Sequence, residues 1–315
     1  MLKKMTALLL AMLLAISGAF ACAEGEISQE EWDKIVAEEG GEETTGEGEW
    51  WNILLLGCDS YTKNTYSRSD SMIILSLNLD TKQAKLTSLM RDIWIKVPGY
   101  KSKHRKLTEL CAVGGPELTI QAINENFGMD IENYILINMA DMAEIVDLFG
   151  GVEVEVSPSE MKVANGYINE AKNGFYNERL DSYDYTPISE TGMIRLNGVQ
   201  AMAYCRDRYT DSDFGRVMRQ QEVLLALAAE AKQLEIEDAV EIAGKIGEFV
   251  STNLEPEQIV ELAKAVLGIE IENVGQYRIP AEGDYDSGTF SGTWMIRPKL
   301  EKVKASLKAF IYGEE

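Results

Sequence analysis

The amino-acid sequence predicts a layered α/β domain. Three short runs rich in Ile and Leu, at residues 52–58, 71–79 and 84–90, have the length and composition of core strands. From residue 116 onward, segments with helical periodicity alternate with further strand-like runs. Strands that alternate with helices are typical of a sheet covered by helices.

Local signals place the remaining elements in order. After the third strand we predict a helix at 116–127, a strand at 134–138, a helix at 141–149 and a strand at 152–156. Residues 160–190 show neither period, and we expect a long surface excursion or lid there. Asn197 can cap a short helix, and Asp211 or Asp213 can cap the next one, at 214–227. The last predicted elements are helices at 238–249 and 257–267, a strand at 274–279 and a helix at 298–312.

The amino terminus has the pattern of an export signal. Residues 1–23 contain Lys3 and Lys4, an apolar stretch and then small residues, so we expect a signal peptide or a membrane anchor. Cleavage, retention and lipidation at Cys22 remain open, with lipidation the least favoured. Residues 24–50 hold eleven acidic residues and one lysine, which predicts a disordered tether. The protein is therefore expected at the extracellular face of the cell membrane, anchored or secreted.

Composition excludes several classes of function. The formal net charge is −22, and phosphate backbones require broad basic faces, so we expect no nucleic-acid partner. The single histidine, His104, is expected at the surface and excludes multi-histidine metal centres. Cys58, Cys111 and Cys205 are too few for a disulfide framework and are expected to be buried, although a bridge between Cys58 and Cys205 is conceivable.

Four arginines within residues 204–221 form a predicted anion site. The segment YCRDRYTDSDFGRVMRQQ carries Arg206, Arg208, Arg216 and Arg219 at ordered spacings around acidic residues. Guanidinium groups match phosphate oxygens two at a time, so the grouping favours a multiply charged ligand such as a pyrophosphate. A solvated, salt-bridged surface segment is the alternative.

Acidic and basic residues also stand at the ends of the first three strands. Asp59 follows the first strand, Arg68 and Asp70 precede the second, and Arg91 follows the third. Mg²⁺ is usually held by one or two carboxylates together with substrate phosphates, so Asp59 and Asp70 suit such an ion. Turn capping by these aspartates is the alternative.

These motifs together resemble the LytR-CpsA-Psr family of Gram-positive cell envelopes. The matching segments are NILLLGCDS, RSDSMIILSLN, SLMRD, FGGVEVEV, LNGVQAMAYCRDR and DSDFGRVMRQQ, in the family's order over residues 50–230. The resemblance implies a three-layer α/β/α domain with a central mixed sheet and an apolar groove for a polyprenyl chain. We therefore expect a catalytic domain at 51–232 and a helical C-terminal part at 233–315, packed on the same domain.

The resemblance also implies roles for individual residues. Asp59 and Asp70 would hold Mg²⁺, or Mn²⁺ in its place, and Asp59, Arg91 and Asp213 would take part in catalysis. Asp59 or Asp213 would be the base, and Asp213 could instead orient an arginine or the metal's waters. The residues expected at the pyrophosphate are Arg68, Arg91, Arg206, Arg208 and Arg216, with Arg219 and Gln220 as outer members.

The family resemblance implies a phosphotransferase. Its members transfer a glycopolymer, of teichoic acid or capsular type, from an undecaprenyl pyrophosphate carrier to peptidoglycan. The expected partners are this lipid-linked polymer, peptidoglycan and the membrane surface. Two alternatives remain open: a hydrolase of the same lipid pyrophosphate, and a non-catalytic envelope regulator that binds polyprenyl phosphates. The sequence does not identify the polymer or the acceptor.

Overall fold

A six-stranded mixed β-sheet forms the centre of the fold. A computed structural model describes residues 49–59, 66–99, 103–175, 183–210, 213–231, 233, 242, 245–267, 269–270, 273–290 and 292–313. The predicted leader, the tether up to residue 48, the Asp211 cap and half of the helix predicted at 238–249 lie outside these residues. Within the described ranges, no helix is long and apolar enough to cross a membrane.

Twelve strands are present in the described residues. They are β1 Trp50–Cys58, β2 Ser69–Asn78, β3 Gln83–Leu89, β4 Trp94–Lys96, β5 His104–Lys106, β6 Asn133–Asn138, β7 Val152–Val156, β8 Gly192–Leu196, β9 Val250–Thr252, β10 Gly275–Ile279, β11 Tyr285–Phe290 and β12 Thr293–Pro298. The three predicted core strands are confirmed as β1, β2 and β3. The pairs β4–β5, β7–β8 and β11–β12 form separate two-stranded sheets.

The central sheet has the strand order β10-β3-β2-β1-β6-β9. β1 pairs antiparallel with β2, and β2 pairs antiparallel with β3, whereas β10 runs parallel to β3. Ile53 and Leu54, which point to opposite faces of β1, are both fully buried. A strand that is buried on both faces needs an unbroken apolar run, and this explains the sequence ILLL in β1.

Seven α-helices accompany the strands in the described part of the chain. They are α1 Leu110–Phe127, α2 Met139–Leu148, α3 Pro158–Glu170, α4 Gly198–Arg206, α5 Asp213–Ala231, α6 Pro256–Leu267 and α7 Leu300–Tyr312. α1 begins before the predicted residue 116 and continues across a kink at Gly114 and Gly115, whose dihedral angles are not helical. Asn197 caps α4 as predicted, since its side chain accepts a hydrogen bond from the Gln200 backbone.

The segment predicted as a surface excursion, residues 160–190, contains most of a helix. α3 follows Ser157, whose hydroxyl accepts from the Glu160 backbone while the Glu160 carboxylate accepts from the Ser157 backbone. This capping box satisfies free N–H groups of the first turn. The expectation is wrong for this part because the buried stripe is narrow and its periodicity is weak; it consists of Ala164, Tyr167 and Ile168. Residues 176–182 lie outside the described ranges.

The chain divides into two compact units. One contains residues 137–271 and is called the helix-rich unit here. The other contains the described residues up to 136 together with residues 273–313, and is called the sheet unit. The boundary predicted at residue 232 falls inside the helix-rich unit. Residues 233–315, predicted as helical, include strands β9 to β12 as well as helices α6 and α7.

Candidate active site

A β-bulge at the end of β1 and the start of β2 brings three predicted site residues together in the sheet unit. Gly57 pairs with Ser71 and Cys58 pairs with Ser69, so that Asp70 is the extra residue on β2. Beyond the bulge, the Asp59 backbone N–H donates to the Arg68 carbonyl at 2.8 Å. Asp59 and Arg68 are exposed and Asp70 is half-buried. The end of this strand pair therefore presents two carboxylates and one guanidinium group.

The bulge depends on a glycine. A Cβ atom at position 57 would lie 2.9 Å from the Cβ of Ser71, which is closer than real Cβ atoms approach. Any other residue would push β1 and β2 apart next to Asp59. Gly57 therefore belongs to the site through the backbone geometry that it permits.

Arg91, two residues beyond the end of β3, joins this cluster. Its Nη1 donates to Oδ1 of Asp70 at 2.6 Å, and the Thr108 hydroxyl donates to the same oxygen at 3.4 Å. On the other side, Arg91 Nε lies 3.7 Å from Asp92, which pairs with Lys106 at 2.6 Å. The guanidinium is thus oriented by two carboxylates while 17% of the side chain stays exposed, so that it can still meet a ligand.

Sequence reasoning assigned no individual role to three of these supporting residues. Asp92 stands in the quoted SLMRD motif, and its position beside Arg91 was a usable signal. Lys106 is the last residue of β5, and Thr108 lies in the short 3₁₀ turn that follows it. No local sequence pattern connects either residue with β3. They reach the site because the Thr108 backbone N–H donates to the Arg91 carbonyl at 3.0 Å.

The two carboxylates fit a divalent cation that is shared with a phosphate. Among the described residues, both donors to Asp70 use Oδ1 and none donates to Oδ2. Asp59 is exposed beside it. No group of three or more metal-binding side chains occurs among the described residues, so a bound ion would need ligands from the substrate or water. Mg²⁺ commonly has such a ligand set.

The helix-rich unit carries the second predicted cluster, at the end of α4. Arg206 is the last residue of the helix, and Asp207, which is fully buried, turns the chain. The Asp207 carboxylate accepts from the backbone of Tyr209 at 2.9 Å and from that of Thr210 at 3.1 Å. This Asx turn fixes the segment that carries Arg208. Asp207 therefore positions Arg208, a role that was not predicted from the sequence.

Tyr167 of α3 links the two arginines of this turn. The Arg206 guanidinium lies 4.5 Å from the centre of the Tyr167 ring, and the Arg208 side chain hydrogen-bonds to the Tyr167 hydroxyl. Burial raises the pKa of Tyr167, while the positive charge of Arg208 opposes the shift. Arg206 is half-buried and Arg208 is exposed. Two guanidinium groups are thus held close together at a surface.

Arg219 of α5 is placed differently from these two arginines. Only 3% of its surface is exposed, and its Nη1 forms an ion pair with Glu160 at 3.0 Å. Its Nη2 donates to the Asp207 carbonyl at 2.5 Å. Arg219 therefore connects α5 to the start of α3 and to the turn beyond α4. This arrangement indicates a structural role, in contrast to direct contact with a ligand.

The other predicted residues of α5 differ in exposure. Arg216 is 4% exposed, and Gln220 is half-buried. Asp213 is the first residue of α5, and its side chain lies outside the described set. The roles predicted for these three residues stay predictions.

The predicted site residues thus form two clusters, each within its own unit. Asp59, Arg68, Asp70 and Arg91 meet in the sheet unit, and Arg206 and Arg208 meet around Tyr167 in the helix-rich unit. That the two clusters bind one ligand stays a prediction. Each combines charges suited to phosphate oxygens with partial exposure.

The sequence is similar to a known protein family and to several of its members. A family model described as the LytR_cpsA_psr family matches residues 22–309. Biofilm regulatory protein A of Streptococcus mutans is 28% identical over 312 residues, which cover 93% of this chain and 71% of that protein. The polyisoprenyl-teichoic acid--peptidoglycan teichoic acid transferase TagU of Oceanobacillus iheyensis is 32% identical over 259 residues, covering 80% of this chain and 72% of that protein.

The fold has counterparts among solved structures. The structure of TagT bound to LIIa-WTA matches with a TM-score of 0.64 at 24% identity. The match covers 88% of this chain and 98% of that chain. The α/β fold class predicted from the sequence is confirmed.

Proposed function

The chain belongs to the LytR-CpsA-Psr family, and from this we propose that it transfers a glycopolymer from an undecaprenyl pyrophosphate carrier to peptidoglycan. The polymer is of teichoic acid or capsular type, and the product is a phosphodiester. Support comes from the relative in Oceanobacillus iheyensis that is named as a teichoic acid transferase. The reaction takes place at the extracellular face of the membrane, to which the predicted leader would deliver the protein.

One observation carries the proposal: the pairing of Arg91 with Asp70 beside the exposed Asp59. Transfer of a phosphoryl group needs cationic groups at the phosphate oxygens and a group that accepts the proton of the attacking hydroxyl. The end of the β1–β2 pair offers both kinds of group within a few residues. Arg91 and Arg68 supply guanidinium donors, and Asp59 supplies the carboxylate.

The residues act by binding, orientation and proton transfer. Arg68 and Arg91 bind non-bridging oxygens of the pyrophosphate and stabilise the charge that develops on them. The role at the pyrophosphate that the sequence predicts for Arg206 and Arg208 stays a prediction. The acceptor hydroxyl attacks the phosphorus that carries the glycopolymer, and the bond to the bridging oxygen breaks, so that undecaprenyl phosphate leaves. Asp59 accepts the hydroxyl proton; Asp213 is the alternative base.

The divalent cation, Mg²⁺ or Mn²⁺, would be held by Asp59 and Asp70. When bound, such an ion neutralises phosphate charge and acts as a Lewis acid. The ion pair with Arg91 orients Asp70 for this task.

A transfer assay with the full chain tests the proposal. The chain is incubated with Mg²⁺, a lipid pyrophosphate-linked oligosaccharide and peptidoglycan fragments, and the products are analysed by mass spectrometry. We expect a phosphodiester-linked product and release of lipid monophosphate. Asp59→Asn and Arg91→Lys should each lower its yield at least about 100-fold, since the first removes the proton acceptor and the second removes the guanidinium fork that binds the phosphate oxygens. Arg105→Lys, a matched change at an exposed arginine that pairs with Glu109, should leave the yield unchanged.

Two outcomes would overturn the transferase assignment. Release of lipid monophosphate and a free polymer phosphate, at the same rate with and without peptidoglycan fragments, would indicate a hydrolase. Binding of the lipid without any cleavage would indicate a non-catalytic role. The second outcome is the principal alternative, because the Streptococcus mutans relative is named as a regulatory protein.

A further inference from the structure

Two cysteine side chains of the sheet unit are in direct contact. Cys58 is the last residue of β1 and Cys111 is the second residue of α1, 53 positions further along the chain. Their sulfur atoms are 3.5 Å apart, and the residues are 1% and 0% exposed. Both are free thiols in this structure, as is Cys205. The bridge that was conceivable between Cys58 and Cys205 is therefore absent, and Cys58 instead contacts Cys111.

The contact places the two thiols close to bonding distance. A disulfide has a sulfur–sulfur distance of about 2.0 Å, so the two atoms need to approach by only about 1.5 Å. Rotation about the Cα–Cβ bonds and small shifts of the backbone can supply this approach. A buried cysteine alone packs as a small apolar side chain, but two in contact can react with each other.

The two sulfurs share one hydrogen bond, in which either atom can be the donor. The thiolate is the nucleophile in thiol–disulfide exchange. The cysteine that loses its proton first therefore attacks the oxidant, and the other cysteine resolves the product.

We propose that Cys58 and Cys111 form an intramolecular disulfide when the chain folds under oxidising conditions. The thiolate of one of the two cysteines attacks a disulfide oxidant, such as oxidised glutathione or a thiol–disulfide oxidoreductase, and one oxidant sulfur leaves as a thiol. The other cysteine then attacks the protein sulfur of the mixed disulfide and releases the second oxidant thiol. Two protein thiols are oxidised and one oxidant disulfide is reduced, so that electrons and protons balance. The predicted export signal would place the chain where such bonds persist.

The disulfide would connect the strand that ends at the candidate site with the first turn of α1. Asp59 follows Cys58 directly, so the bond would restrict the backbone beside this carboxylate. It would also close a long loop and restrict the unfolded chain, which raises stability. Because both thiols are buried, the bond forms during folding and not by reaction at the surface of the folded protein.

Peptide mapping after oxidative refolding tests this inference independently of the proposed transfer activity. The full chain is denatured and reduced, refolded with oxidised and reduced glutathione, then unfolded in denaturant, alkylated and digested for mass spectrometry. We expect one disulfide-linked pair of peptides containing Cys58 and Cys111, with Cys205 alkylated. The oxidised protein should show a midpoint of thermal unfolding about 5–10 °C above that of the reduced protein. Cys205→Ala should retain this difference, and Cys111→Ala should abolish it.

Two results would overturn the inference. One is alkylation of both Cys58 and Cys111 in protein that has regained its circular dichroism spectrum in the oxidising buffer. The other is a disulfide that joins Cys58 to Cys22 or Cys205. Because wild-type protein alone supplies both readouts, the test does not depend on the folding of any variant.

Discussion

Replacing Arg219 by alanine should destabilise the helix-rich unit strongly, although this arginine belongs to the segment predicted to bind pyrophosphate. The substitution removes the ion pair with Glu160 and the hydrogen bond to the Asp207 carbonyl, both in a nearly water-free environment. The Asp207 carbonyl then loses its buried donor. The expected consequence is unfolding at lower denaturant concentration.

The structure allows the size of this effect to be worked out. Hydrogen bonds to charged groups contribute about 1.5–3 kcal/mol each, and removing one partner of a buried ion pair costs about 3–5 kcal/mol. Glu160 keeps its bond from the Ser157 backbone, so the loss should lie near the lower end of that range. We expect about 3 kcal/mol, which lowers the equilibrium constant for folding roughly 100-fold.

Urea unfolding followed by circular dichroism at 222 nm measures this loss. Tryptophan fluorescence is unsuitable for this purpose, because all five tryptophans lie outside residues 137–271. Arg206→Ala is the matched control. Arg206 is half-buried and stacks on Tyr167, a contact that contributes about 1 kcal/mol or less. If Arg219→Ala costs less than about 1 kcal/mol, or no more than Arg206→Ala, the structural role assigned to Arg219 is wrong.

Three further predictions concern positions outside this ion pair. Gly57→Ala should lower the midpoint of thermal unfolding by several degrees, because its Cβ would clash with Ser71; an unchanged midpoint would mean that the bulge relaxes freely. Asn197→Ala should cost about 1 kcal/mol in urea unfolding, since it removes the side-chain acceptor for the Gln200 backbone, whereas Asn197→Ser should restore most of the loss. Burial raises the pKa of Cys205 to about 12, so at pH 8 its alkylation should be at least about tenfold slower in folded protein than in urea-unfolded protein, and equal rates would contradict this.

Much of the fold could be predicted because the signals are local. The apolar runs of β1, β2 and β3 and the cap at Asn197 depend on residues that are neighbours in the chain, and the structure has these elements within a few residues of their predicted bounds. The helix α3 was missed because its buried stripe is narrow. The hairpin β11–β12 was missed because all but two of its residues are exposed or half-buried, so that little apolar pattern marks it.

The candidate site was predictable as a set of residue types but not as a set of contacts. The motifs named Asp59, Asp70, Arg91 and the arginines of residues 204–221 as groups for phosphate and metal. They did not separate the partly exposed Arg206 from the buried Arg219, because both are arginines in a similar charge pattern. Exposure is a property of the packed chain, and it depends on α3, which lies about 40 residues earlier in the sequence.

By itself, the sequence determined the strand and helix types, the acidic character of the chain and the residues able to bind phosphate, since all of these follow from composition and short-range pattern. The tertiary structure alone decided which side chains are in contact. Arg219 reaches Glu160 across 59 positions, Asp70 reaches Arg91 across 21, and Cys58 reaches Cys111 across 53. Such contacts arise from the way in which the strands and helices pack, and no local signal in the sequence encodes them.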